Sequence, residues 1–279
     1  MKRKTDDETE TMKRGRSFAA FVAAIILLLS AGPASLFGTP RIETGLGFFG
    51  SVFSDYTETR PVDDDPSIWG GINSLQPYVS ADIGFSDRFF VSIAYRQGFI
   101  LPQDMNFYSD SSWTEIGGHT EQVTLYGLYR LYSAPGAFID IGLGGSFMHV
   151  MKTFTDFYED DEKTFTGNYG YYRMLYPSPG AIIRTDISLL PVITFGGLLI
   201  GSPWGITVNQ IENPAGPSME IKEGFNVLAE VYVGLEVTTV MTIRAGYRHE
   251  YHYFNAPGPY QLDLELNLRG PFAEFVFSF

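Results

Sequence analysis

From about residue 42 onward the chain repeats one theme, stretches of about ten residues in which apolar and polar side chains alternate. A period of two is that of a β-strand, whose successive side chains point to opposite faces. The clearest stretches put apolar residues at odd numbers: Val79, Ala81, Ile83 and Phe85; Phe89, Val91 and Ile93; Val123, Leu125 and Tyr129; Ile139, Ile141 and Leu143. The pattern continues through Ile183, Phe195, Leu199, Val231, Val233 and Ile243, and ends in Ala273, Phe275, Phe277 and Phe279. A first stretch has the opposite parity, with Leu46, Phe48 and Val52 apolar.

These stretches predict strands near 43–53, 74–85, 88–100, 119–132, 137–151, 180–189, 192–200, 224–237, 239–251 and 262–279. The count is ten, with eight left open because the pair around Pro191 is weakest. Short links at 86–88, 133–136, 190–191 and 237–239 alternate with long polar ones at about 54–73, 101–118, 152–179, 201–223 and 252–261. Short turns on one side and long loops on the other mark an all-β transmembrane barrel with up-and-down antiparallel strands. A soluble sandwich would show the same alternation, so other features must separate the two.

One is the N-terminus. Phe18 to Leu29 is continuously apolar, follows Lys13, Arg14 and Arg16, and precedes Gly32-Pro33-Ala34. As a helix it would reach only about 18 Å, too short for a bilayer, and its basic, apolar, small-residue order is that of a secretory signal. Residues 1–34 are expected to be the signal, with translation starting at Met12, and 35–279 the barrel domain. Another is aromatic content, 15% Phe, Tyr and Trp, placed toward strand ends as interfacial girdles require.

There is no cysteine, which excludes disulfides, a lipid-bearing cysteine and thiolate metal sites. Removing residues 1–34 leaves 13 basic and 28 acidic side chains, a formal charge of about −15, which argues against nucleic-acid binding.

The last residues, Phe272-Ala273-Glu274-Phe275-Val276-Phe277-Ser278-Phe279, resemble the C-terminal sorting signal of bacterial outer-membrane barrels, a terminal aromatic with apolar residues at every second position before it. Ala273, Phe275, Phe277 and Phe279 carry that pattern. The resemblance implies outer-membrane lipid as surroundings and the barrel-insertion machinery as a partner during assembly. It names a superfamily and no activity.

If odd positions face lipid, the even ones face the lumen. They include Arg96, Glu236, Arg248 and Glu250, with Glu43 added by the parity-shifted first strand. Eight more, Asp82, Arg130, Asp140, Arg184, Asp186, Glu230, Arg244 and Glu274, are expected to form one charged belt, most of it about 12 Å above the periplasmic rim. Such a belt either pairs with itself and closes the lumen or forms a narrow constriction selecting small solutes, as in a porin-like channel.

The long links carry Tyr108, Trp113, Tyr169, Tyr171, Tyr172 and Trp204, candidate contact residues for an unknown extracellular ligand. The acidic runs Asp63-Asp64-Asp65 and Glu159-Asp160-Asp161-Glu162 lack the spacing of a calcium loop and read as solvated charge, so no metal or other cofactor is assigned. Ten strands and this length resemble the omptin proteases, whose sites include an Asp-His couple at the outer rim. Here no Asp-x-His occurs on a strand, and His119, His149 and His249 read as girdle residues. No catalytic residue is assigned. The expected role is envelope structure or surface interaction.

Overall fold

The computed structural model describes residues 41–51, 53–59, 66–69, 74–107, 109–159, 162–213, 216–255 and 263–279. The proposed signal at 1–34 lies outside them. Among the described residues there are twelve β elements: β1 (Arg41–Ser51), β2 (Phe53–Thr59), β3 (Pro66–Trp69), β4 (Ser74–Gly84), β5 (Phe89–Phe107), β6 (Ser109–Ala134), β7 (Ala137–Glu159), β8 (Glu162–Leu190), β9 (Ile193–Asn213), β10 (Gly216–Thr238), β11 (Met241–Asn255) and β12 (Asp263–Ser278).

Every neighbouring pair is antiparallel, and β1 pairs with both β4 and β12, which closes the sheet into a barrel. Because β1 and β2 both run along β12, and β3 and β4 along that same first strand, the barrel wall has ten strands. The seam is tied at the chain's end, where the Phe279 N–H donates to the Ile42 carbonyl at 2.8 Å and the Ile42 N–H donates back at 3.2 Å. The weak pair around Pro191 is a true hairpin, Leu190 turning into Ile193. Another tight turn is Pro135-Gly136, where Gly136 has φ +78°, a left-handed conformation that glycine adopts without steric cost.

The predicted parities appear as exposure. In β10, Phe225, Val227, Val231, Val233 and Leu235 face out, while Asn226, Leu228, Glu230 and Tyr232 are buried. In β1 the parity is reversed, Leu46 and Phe48 facing out and Phe49 in. The outward residues form an apolar band that includes Leu125, Leu143 (75% exposed), Ile183, Leu199 and Val231. A solvent-facing band on that scale is matched by hydrocarbon rather than water.

The long polar links at 101–118, 152–179 and 201–223 are strand over their described residues. β5 and β6 continue to Phe107 and Ser109, β7 and β8 to Glu159 and Glu162, and β9 and β10 to Asn213 and Gly216. Beyond the apolar band a strand has water on both faces, so the backbone ladder persists while hydrophobic alternation vanishes. At several prolines inside strands the ladder on one side is interrupted. Pairing is skipped at Pro77 between β4 and β5, at Pro177 and Pro179 between β8 and β9, and at Pro203 between β9 and β10, since proline has no N–H to give.

The interior is filled. Phe90, Tyr126, Leu128, Ile182, Ile200 and Leu228 form an apolar cluster on the inner wall from β5 to β10, with Leu198 packed against it. The rest of the wall is polar and charged, and carries the site described next.

Candidate functional site: a charged belt across a closed lumen

Strand register sets the belt. Arg130 of β6 lies opposite Asp140 of β7, which lies opposite Arg184 of β8. Arg244 of β11 lies opposite Glu274 of β12, and Glu230 of β10 opposite Arg248 of β11. Arg130 reaches Asp140 through two hydrogen bonds, Nε–Oδ1 at 2.8 Å and Nη2–Oδ2 at 3.2 Å. Its guanidinium carbon stands 4.5 Å from the Phe90 ring centre and 4.2 Å from that of Phe138, so rings cover the faces and the carboxylate takes the edge.

The decisive contacts cross the lumen. Arg184 on β8 donates to Asp140 at 2.9 Å and also to Asp82, four strands away on β4. Asp186 on β8 accepts from the Tyr232 hydroxyl and faces Arg244 at 3.7 Å, and Arg244 faces Glu274 at 3.8 Å. Glu274 also accepts from Ser80 at 2.8 Å, passing over β1 at Gly45. A Cβ at Gly45 would collide with that carboxylate, and one at Gly196 with Asp186 and the Tyr232 ring. These glycines are the gaps through which the charged side chains lie.

A second storey sits above. Arg248 donates to Glu230 at 2.6 Å and stands 5.2 Å from the ring centres of both Phe49 and Tyr78. Arg96 on β5 donates across the lumen to Glu250 on β11 at 2.7 Å, with the side chains 4% and 0% exposed. His252 lies 3.6 Å from the same carboxylate. Around them the inner wall carries buried Gln76, Ser74, Ser51 and Gln122.

All eight belt residues thus enter contacts with charged or hydroxyl partners, in two storeys rather than one ring, Glu230 belonging to the upper storey. Arg96, Arg248 and Glu250 complete that storey, while Tyr232 and Ser80 brace the lower. The inward parity of the three charged residues was visible in the sequence; which partner each meets across the lumen depends on barrel closure and was not. Glu236 and Glu43 line the mouth at the short-turn end of the barrel, Glu43 accepting from Arg41 at 2.7 Å. Among the described residues the lumen holds a vestibule of about 430 Å³ at that mouth and a pocket of about 140 Å³ above it, both bounded by Asp82, Arg184 and Arg244.

Ala273, Phe275, Phe277 and Phe279 lie on the outward face of β12's end, with Phe279 76% exposed and Phe272, Glu274 and Val276 buried on the other face. Trp113 lies in β6, Tyr169, Tyr171 and Tyr172 in β8, and Trp204 in β9. All five thus lie in strands and not in loops, Trp113, Tyr171 and Tyr172 with ladder partners and Tyr169 and Trp204 at register shifts; their side chains, and Tyr108 as a whole, lie outside what the structure describes, as do Asp63 to Asp65, Asp160 and Asp161. His249 faces out and pairs with Asn267 at 2.7 Å.

No protein-family profile matches the chain, and no curated protein does. Among solved structures, the outer membrane protease OmpT from Escherichia coli is similar over 89% of this chain and 99% of its own, with TM-score 0.61 and 11% identity. This chain has the fold of the bacterial outer-membrane β-barrels. Neisserial surface protein A (TM-score 0.32, 11% identity, 86% of this chain and 97% of that one) and a major outer membrane protein from Thermus thermophilus (TM-score 0.37, 12% identity, 86% and 99%) were also found at lower similarity. At such identities the likeness is one of architecture.

Proposed function

We propose that this protein is exported with loss of residues 1–34, spans the bacterial outer membrane as a closed-lumen barrel, and acts through the β-extensions it holds outside the bilayer, as a surface-interaction or envelope-structural protein. The carrying observation is the pair of ion bridges across the lumen, Arg184 to Asp82 and Arg96 to Glu250. A channel keeps its charged ring open to water. Here the guanidinium groups are committed to carboxylates on the far wall, and apolar Phe90, Tyr126 and Leu128 fill the space beside them.

The test is single-channel conductance of refolded 35–279 in a planar bilayer, after heat-modifiable gel mobility has established a folded barrel. Silence is the expected result. Steady ion-selective current that shifts in Arg244→Ala would replace this reading with that of a narrow channel. The proposal assigns no catalytic residue. Cleavage of unfolded peptides by the folded barrel, lost in His252→Ala, would replace it with a hydrolytic one.

A further inference from the structure

On the outer face of the barrel, away from the lumen, three side chains converge. His119 and Glu121 are two residues apart on β6 and so share a face; Glu121 lies directly opposite His149 on β7. They have the outward parity of Leu125 and Phe147, which are 53% and 46% exposed. Their nitrogen and oxygen atoms all lie within 4.8 Å of one another.

We propose that His119, Glu121 and His149 form a binding site for a divalent ion of the zinc class. Ligands about 2.0–2.2 Å from a tetrahedral zinc stand roughly 3.3 Å from one another, and His149 Nδ1 already stands 3.4 Å from Glu121 Oε2. Two imidazoles sharing such an ion have ring centres about 5.2 Å apart, from a zinc–nitrogen bond of about 2 Å plus the half-width of each ring. The rings of His119 and His149 are 5.2 Å apart and inclined at 77°. One pair of ligand atoms and the spacing of the two rings thus match an ion-bound geometry, and the third ligand atom lies within 4.8 Å of the other two.

Two imidazoles and a single carboxylate favour zinc, nickel or copper over calcium and magnesium, which take oxygen ligands. Three protein ligands leave a fourth position for water. His149 lies about thirteen residues beyond the turn at Gly136, so at roughly 2.5 Å of height per tilted residue it stands about 33 Å up, above an apolar band about 25 Å tall. The site is at headgroup level, with access to aqueous ions.

The experiment is calorimetric titration of the untagged, refolded full chain in detergent with zinc chloride, together with cobalt titration followed by visible absorption. One ion per barrel is expected, with affinity falling at least tenfold in both His119→Ala and His149→Ala and unchanged in His249→Ala. Glu121→Gln, which keeps side-chain size, serves if either alanine variant fails to show a heat-modifiable folded band, and the same tenfold loss is expected of it. No saturable uptake by the parent protein, or uptake that survives these substitutions, overturns the proposal.

Discussion

Arg184 holds two carboxylates at once, Asp140 from the adjoining strand and Asp82 from the opposite wall. Replacing it with Ala takes the ion partner from Asp82 and leaves Asp140 to Arg130 alone, and breaking a buried pair typically costs about 3–5 kcal/mol. Urea unfolding of Arg184→Ala in lipid vesicles, followed by tryptophan fluorescence, should show a loss of that order against the parent barrel. At this scale the sequence revealed which way each charge points, because a charge on the lipid side would cost about 2–4 kcal/mol and period two sets the face. It did not reveal partners. Asp82 and Arg184 are 102 residues apart, and only barrel closure puts them in reach. The same holds for Ser80 and Glu274, whose contact also needs the absence of a side chain at Gly45.

Among elements, legibility follows the solvent. Inside the apolar band lipid demands an apolar residue at each outward position, so β4, β7 and β10 announced themselves. Past it nothing imposes a pattern, and the upper halves of β6, β8 and β9 read as loops although their ladders run on. Neither the apolar cluster nor the charged belt has a member in 153–171, so excising that stretch, whose ends Thr153 and Tyr171 face each other in the ladder, should leave a heat-modifiable, folded barrel while abolishing any surface binding. Loss of the fold would show that the extension is part of the barrel's stability. The last strand behaves in the opposite way. Phe279 is bonded to Ile42 across the seam, so deleting it should impair membrane assembly without reducing export, as measured by the ratio of folded to periplasmic unfolded protein.

For the molecule as a whole, the inner wall is of two kinds: the apolar cluster is confined to β5–β10, where it lies beside Arg130, Asp140, Arg184 and Asp186, and the wall from β11 round through β12 to β4 is guanidinium, carboxylate and ring. Arg130–Asp140, Arg248–Glu230 and Arg244–Glu274 pair between adjoining strands, whereas Asp82 and Glu250 meet Arg184 and Arg96 only when both sides of the barrel are in place. Charge pairing across the lumen therefore accompanies completion of the cylinder, and the silence expected in the conductance test belongs to the closed form alone.

The long ladders also set a reach. β8 runs from Leu190 to Glu162, and 29 residues at about 3.3 Å, tilted by about 40°, rise roughly 70 Å. The apolar band takes about 25 Å of that, which leaves a palisade of strand about 45 Å tall beyond the band. In the orientation proposed above, whatever approaches from that side meets the palisade's crest before it meets the membrane.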